Sequence, residues 1–236
     1  MTFVMGFGSV FFLLVVLGPI IIPDLSWPEA ARDLLTNKGL EDTGANNLVS
    51  AIYLGYRAYD TIGETIVLLA AVTGALALIK GFSAPVDVSH GPSQNPKNRT
   101  NMLSMTTGKL APVVMLFGWY VMFFGHQSPG GGFQGGVVLA SGILFIALGR
   151  EQRQKRSTLH KNGLHIVEFL SLVMILFLAN IPLLFGASVL ENPLTKFEGN
   201  LPKVIYIIGF NMAIGLKVGS GLTLLGILMM DMPHDD

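Results

Sequence analysis

The chain contains no cysteine among its 236 residues. That excludes disulfides, thiolate zinc sites and cysteine-ligated iron–sulfur clusters. If the protein serves a redox machine, the redox centres belong to other chains. Charge is scarce too. Asp, Glu, Lys and Arg make up 13% of the sequence, against about a quarter in a soluble domain. Fifteen acidic and fifteen basic side chains cancel, and a chain without net positive charge is a poor partner for nucleic acid. A phosphate-cradling loop is also missing. The glycine-rich stretch at Gly125–Gly136 lacks the Lys and Ser/Thr of such a loop, and no soluble strand precedes it.

What is abundant is apolar sequence in long runs, with 51% hydrophobic residues and a mean hydropathy of +0.58. Twenty residues at about 1.5 Å rise cover a hydrocarbon core of roughly 30 Å. Backbone groups in lipid must be satisfied within helices or closed barrels, and no alternating-strand pattern appears. The fold class is therefore all-α integral membrane protein. Six spans are predicted: Phe3–Ile22, Thr61–Ile79, Leu110–Phe124, Phe133–Leu148, Ile166–Phe185 and Val204–Leu228. The first has no Lys or Arg before it and no small-residue cleavage site after it, so it reads as a retained helix rather than a signal peptide.

Pro23–Asn47 is polar, and Leu48–Tyr56 is a short apolar and aromatic piece suited to the membrane interface. Ser83–Thr107, rich in Pro and Asn, reads as a linker. The expected organisation is a two-helix module over 1–81, a polar linker over 82–108 and a four-helix module over 109–236. Nine Lys and Arg residues fall in the linker, at its two edges (Lys80 and Lys109) and in the loop after the fourth span, against five on the other side. This bias places both termini in the cytoplasm and the glycine turn outside.

The glycine turn needs a reason. Gly132, Gly136 and Ala140 fall four apart, and Gly215 and Gly219 repeat that spacing in the last span. Small residues at this interval let two helix backbones approach.

The ionisable residues of the spans carry the functional argument. Lys217 lies thirteen residues after Val204, where a lone lysine costs about 3 kcal/mol on insertion scales. It is either ion-paired for assembly or part of a proton or cation path. Glu64, near the start of the second span, reads as a proton carrier if partly buried. Asp60 shares its face four residues earlier and serves either as a helix cap before Thr61 or in the same path. Arg57 stands at i,i+3 from Asp60, a surface pair of little energy. Glu168 either meets Arg156 or Lys161 at the basic edge or joins the path. By depth, Glu64 is expected near the outer face, Lys217 in the middle and Glu168 near the inner face. His126 reads as a hydrogen-bonded structural group or a ligand, although a single His makes no metal site. Asn211 is a further buried polar group facing away from Lys217. Asn180 and Pro182 predict a kink. His90, His160, His165 and His234 are expected to face solvent.

Two local sequences resemble known families. Gly125-His-Gln-Ser-Pro-Gly-Gly-Gly-Phe-Gln-Gly-Gly136, together with Gly215-Leu-Lys-Val-Gly-Ser-Gly-Leu-Thr223, resembles the B subunit of Mrp-type (MnhB-like) cation/proton antiporters over about Asn101 to Met230. Arg57-Ala-Tyr-Asp-Thr-Ile-Gly-Glu64 is similar to a segment of small subunits that match the C-terminal part of the Mrp A subunit. The same modules occur in membrane-bound hydrogenases and related respiratory complexes.

The resemblance implies a fusion of the two modules in a multi-pass subunit of the cell membrane, partnered by other membrane subunits. It implies Na+/H+ translocation with no cofactor in this chain and no enzyme activity of its own. Asp60 and Glu64 match carboxylates of the first motif, and His126 and Lys217 match polar positions of the second, whereas Glu168 lies in a less distinctive region. Two other readings stay open: a structural helix-packing subunit without its own ion path, and a quinone-binding subunit of an oxidoreductase.

Overall fold

The computed structural model describes residues 29–82, 97–149, 161–195 and 202–230. The expected first span, residues 83–96 of the expected linker and residues 150–160 of the basic loop lie outside the described residues, as do His90, His160 and His234. The chain divides into two compact units, Met1–Asn37 and Lys38–Asp236. Of the first, the described part is the beginning of helix α1 (Glu29–Thr43).

The described elements of the second unit are all helical. After α1 comes one turn of helix, Leu48–Ser50, opened by Asn47, whose side chain accepts from the Val49 amide. It widens into a π-helical turn, Ala51–Tyr56. The wide turn is closed by the Arg57 amide reaching back to the Ile52 carbonyl, and the Thr61 hydroxyl covers the Tyr53 carbonyl at 2.6 Å. Tyr56 donates to Asp42 Oδ2 at 2.6 Å. Burial, helped by that carboxylate, pushes the Tyr56 phenol up to about 12.

Five long helices follow: α2 (Ala58–Phe82), α3 (Lys97–Phe123), α4 (Gly132–Gly149), α5 (Lys161–Asn180) and α6 (Val204–Met230). Four of the described helices are long and apolar enough to cross a membrane: Ala58–Ile79, Gly132–Gly149, Asn162–Phe185 and Val204–Met230. The expected third span is the apolar end of α3, a helix that begins far earlier, at Lys97. Residues 97–108, expected to be linker, are therefore helical. Extending an existing helix costs far less than nucleating one, so the apolar end carries Asn, Ser and Thr residues into the helix. At the other end of α5, Pro182 removes an amide and the helix tightens into a 3₁₀ turn, Ile181–Phe185. Gly186 closes that turn at φ +69°, a conformation that favours glycine.

Helix α6 is the centre of the fold. It packs against α4, α5, α2 and α3, and fifteen of its residues are buried. The apolar core runs along it through Tyr206, Ile207, Phe210, Ala213, Ile214 and Val218, joined by Leu54, Ile175 and Ala179. Helix α4 presents glycine on two faces, so that it fits tightly between α3 and α6.

Candidate functional site

The most deeply buried charge is Lys217, 0% exposed at the middle of α6. Its Nζ donates to Oε1 of Glu168 on α5 at 2.7 Å, and Glu168 is itself only 8% exposed. The sequence leaves open whether Glu168 meets Arg156 or Lys161 or joins the path with Lys217, and the structure pairs it with Lys217. The reason is energetic. A carboxylate and an ammonium in a dry interior each carry a large desolvation cost, which is offset only in close contact.

Room for the pair comes from Gly221, where an added Cβ would stand 3.2 Å from Glu168 Oε1, 3.7 Å from Lys217 Nζ and 3.8 Å from Val72 Cγ2 of α2. Three helices therefore enclose the site. The other carboxylate oxygen, Oε2, faces outward to Nδ1 of His165 at 4.0 Å, and the His165 side chain is 53% exposed. Nearby hydroxyls are engaged with backbone: Ser171 donates to the Glu168 carbonyl at 2.9 Å, and Thr223 to that of Gly219 at 2.6 Å. Among the described residues no group of three His, Cys, Asp or Glu could hold a metal ion.

The glycine turn packs one helix onto another. A Cβ at Gly132 would lie 2.6 Å from the Asn211 carbonyl, and one at Gly136 would lie 2.6 Å from the Gly215 carbonyl and 2.8 Å from Val218 Cβ. From the other side, a Cβ at Gly219 would lie 3.2 Å from the Gly136 carbonyl. These glycines of α4 and α6 thus lie face to face, and Ala140 is buried farther along α4.

Above this seam stands a polar hub centred on Asn211. Its Oδ1 accepts from the Gly132 amide at 2.9 Å and from the Tyr53 hydroxyl at 2.8 Å. An amide N–H can only donate, so the atom facing Gly132 must be the oxygen. The Asn211 Nδ2 is buried and has no hydrogen-bond partner among the described residues. Burial raises the Tyr53 phenol above its ordinary value, partly countered by its hydrogen bonds with Ser50 and Asn211, so the hydroxyl remains a donor. The turn is further held by Asn47 Nδ2, which reaches the carbonyls of Gly125 at 2.8 Å and Ser128 at 2.9 Å. Ser50 also donates to Gly125, at 2.5 Å.

The other expected site residues stand apart from the buried pair. Glu64 is exposed on α2, so among the described residues it lacks the partial burial expected of it. Asp60 is exposed and accepts from Arg57 Nε at 2.6 Å, in the pair expected from their spacing. Asp60 is not a cap before Thr61, because α2 begins at Ala58 and Asp60 lies within its first turn. His126 is buried, its Nδ1 lies 2.9 Å from the Phe123 carbonyl, and its ring stacks on Phe124. A carbonyl only accepts, so Nδ1 carries the proton. His126 is thus a hydrogen-bonded group of the turn. His165, expected simply to face solvent, also faces Glu168, and its i,i+3 spacing from that residue is the signal in the sequence that could have found it. Tyr53, Ser50 and Asn47 are not among the expected site residues, and Ser50 and Asn47 reach backbone carbonyls of a distant turn.

Residues 102–224 match the family described as "Domain related to MnhB subunit of Na+/H+ antiporter". An uncharacterized protein of Methanocaldococcus jannaschii is 28% identical over 202 residues, covering 78% of this chain and 76% of that protein. The B subunit of the Na(+)/H(+) antiporter of Alkalihalophilus pseudofirmus is 26% identical over 148 residues, 61% of this chain and 99% of that protein. Among solved structures, a chain of the membrane-bound sulfane sulfur reductase, an archaeal respiratory membrane complex, superposes with a TM-score of 0.68 at 26% identity, covering 97% of both chains.

Proposed function

The chain belongs to the family of domains related to the MnhB subunit of Na+/H+ antiporters, and we propose that it is a membrane subunit of a multisubunit cation/proton antiporter module within a respiratory complex. In this reading it performs no chemistry of its own and carries no cofactor. Na+ and H+ are what the assembly moves, both termini face the cytoplasm, and the membrane is the plasma or inner membrane. Moving one charge against 100 mV costs about 2.3 kcal/mol, supplied through other chains by a redox reaction or a counter-ion gradient. Kinship to hydrogenase complexes and fusion of the 1–81 and 109–236 modules belong to the same proposal.

The observation that carries it is the Lys217–Glu168 pair, in contact at 2.7 Å and enclosed by α2, α5 and α6. A purely structural subunit gains little from such a pair, since apolar residues of equal volume often stabilise an interior as well or better. Ionisable residues held inside a membrane bundle mark ion or proton paths. The pair is neutral as ammonium with carboxylate and as amine with carboxylic acid. One proton added or removed changes the charge at a dry point, and a neighbouring subunit can sense or neutralise that change.

The test is Na+-dependent proton transport by vesicles holding the assembled complex, with Lys217→Ala or Glu168→Gln in this chain. We expect transport to fall while the complex still co-purifies. Unchanged transport in intact complexes would overturn the ion path. Loss of assembly by the single variants, together with full transport by the double variant Lys217→Met/Glu168→Leu, would favour the structural reading, which the close glycine seam also supports.

A further inference from the structure

We propose that His165 is the group through which the buried Lys217–Glu168 pair exchanges protons with the aqueous side of the membrane, an inference that rests on the ion-translocation reading above. Glu168 uses its two oxygens differently. Oε1 is held by Lys217 at 2.7 Å in the interior, and Oε2 faces Nδ1 of His165 at 4.0 Å. The three residues thus form a line from a side chain with no exposure, through one barely exposed, to one about half exposed. His165 precedes Glu168 by three residues, so both sit on one face of α5 and their spacing is maintained by the helix itself.

The charged groups facing Glu168 among the described residues are Lys217 from α6 and His165 from its own helix, while α2 contributes the apolar Val72. A protonated imidazole closes the 4.0 Å gap by side-chain rotation or through one water. Its Nδ1–H bond then breaks and an O–H bond forms at Oε2. The imidazolium becomes neutral imidazole, the carboxylate becomes the acid, and Lys217 is released from its ion pair. The neutral ring takes its next proton from hydronium in the aqueous phase, leaving water. In the reverse direction the acid returns its proton to Nδ1. Imidazole suits this place because one ring nitrogen can take up a proton while the other releases one.

The experiment compares His165→Ala, His165→Gln and Lys217→Ala in the assembled complex in vesicles, measuring Na+-dependent proton transport across pH with and without imidazole in the buffer. His165→Gln keeps the size and polarity of the side chain but does not titrate. Both His165 variants are expected to slow transport roughly tenfold and to alter the shape of the pH profile, with added imidazole restoring much of the rate in His165→Ala. Rates and pH profiles unchanged in both variants would overturn the inference. So would a loss that imidazole does not restore, since that marks a structural role. Lys217→Ala separates the two proposals: transport lost there but intact in the His165 variants removes His165 alone, whereas transport intact in Lys217→Ala removes the ion path itself.

Discussion

Asn211 shows what one residue does here. Its Oδ1 serves two donors from different parts of the chain, the Gly132 amide and the Tyr53 hydroxyl. Asn211→Leu deprives both of an acceptor in a buried place, and such groups cost about 1–3 kcal/mol each when left unmade. Tyr53→Phe removes one donor and leaves the Gly132 bond intact, so about 1 kcal/mol is at stake. Thermal unfolding of the purified complex should therefore rank Asn211→Leu as clearly more destabilising than Tyr53→Phe. Equal effects would show that the Gly132 amide does not depend on Asn211. Buried polar residues are easy to find in a sequence like this, because Asn211 and Lys217 interrupt long apolar runs. Their partners are not, because they lie 79 and 49 residues away. In one case the partner is a main-chain amide, which leaves no side-chain signature. Glu168 is visible in the sequence as a candidate, but distance along the chain hides the fact that it meets Lys217.

At the scale of elements, the α4–α6 contact decides the fold. A Cβ at Gly136 would press on the Gly215 carbonyl, Val218 Cβ and the Gly219 amide, of which two are backbone atoms that move only with the whole of α6. Gly136→Ala should cost about 1–3 kcal/mol, as overpacking does, and Gly136→Leu should abolish co-purification with the partner subunits. Two controls bracket this. Gly74→Ala on α2 meets nothing within 4 Å and should leave the yield unchanged. His126→Ala loses one hydrogen bond to the Phe123 carbonyl, worth about 1 kcal/mol, and should assemble. If His126→Ala proves worse than Gly136→Leu, the turn is more than a packing device. The four-residue glycine spacing is legible in the residues alone. The second face of α4 is not, because it pairs Gly135 with Met122 and Gly142 with Met115, and methionine carries no pattern that announces such a fit. The start of α3 at Lys97 is likewise hidden, since polar residues inside a helix look like linker when the helix is carried by its far end.

At the scale of the whole molecule, the described residues are built around a buried helix and leave others uncovered. Of the apolar stretch of α2, 11% is buried, against 61% for α6, and the uncovered face of α2 carries Glu64. A carboxylate facing hydrocarbon is costly, and desolvation beside a partner helix would be offset only by a polar or basic group there. The sequence expectation that Glu64 is buried can thus hold in the assembly though it does not hold among the described residues, and the covering surface we expect is that of a neighbouring polypeptide. The absence of cysteine confines labelling within this chain to the introduced position. Glu64→Cys, labelled with a maleimide–benzophenone in native membranes and irradiated, should yield a covalent adduct with a neighbouring membrane subunit, identified by mass. Val67→Cys, also exposed on α2, should do the same wherever the partner helix continues, and Ala213→Cys, fully buried on α6, should not label at all. Adducts confined to lipid at Glu64, in complexes that still transport, would place that face of α2 against the bilayer. Glu64 would then lie outside the ion path, leaving it to the Lys217–Glu168 pair.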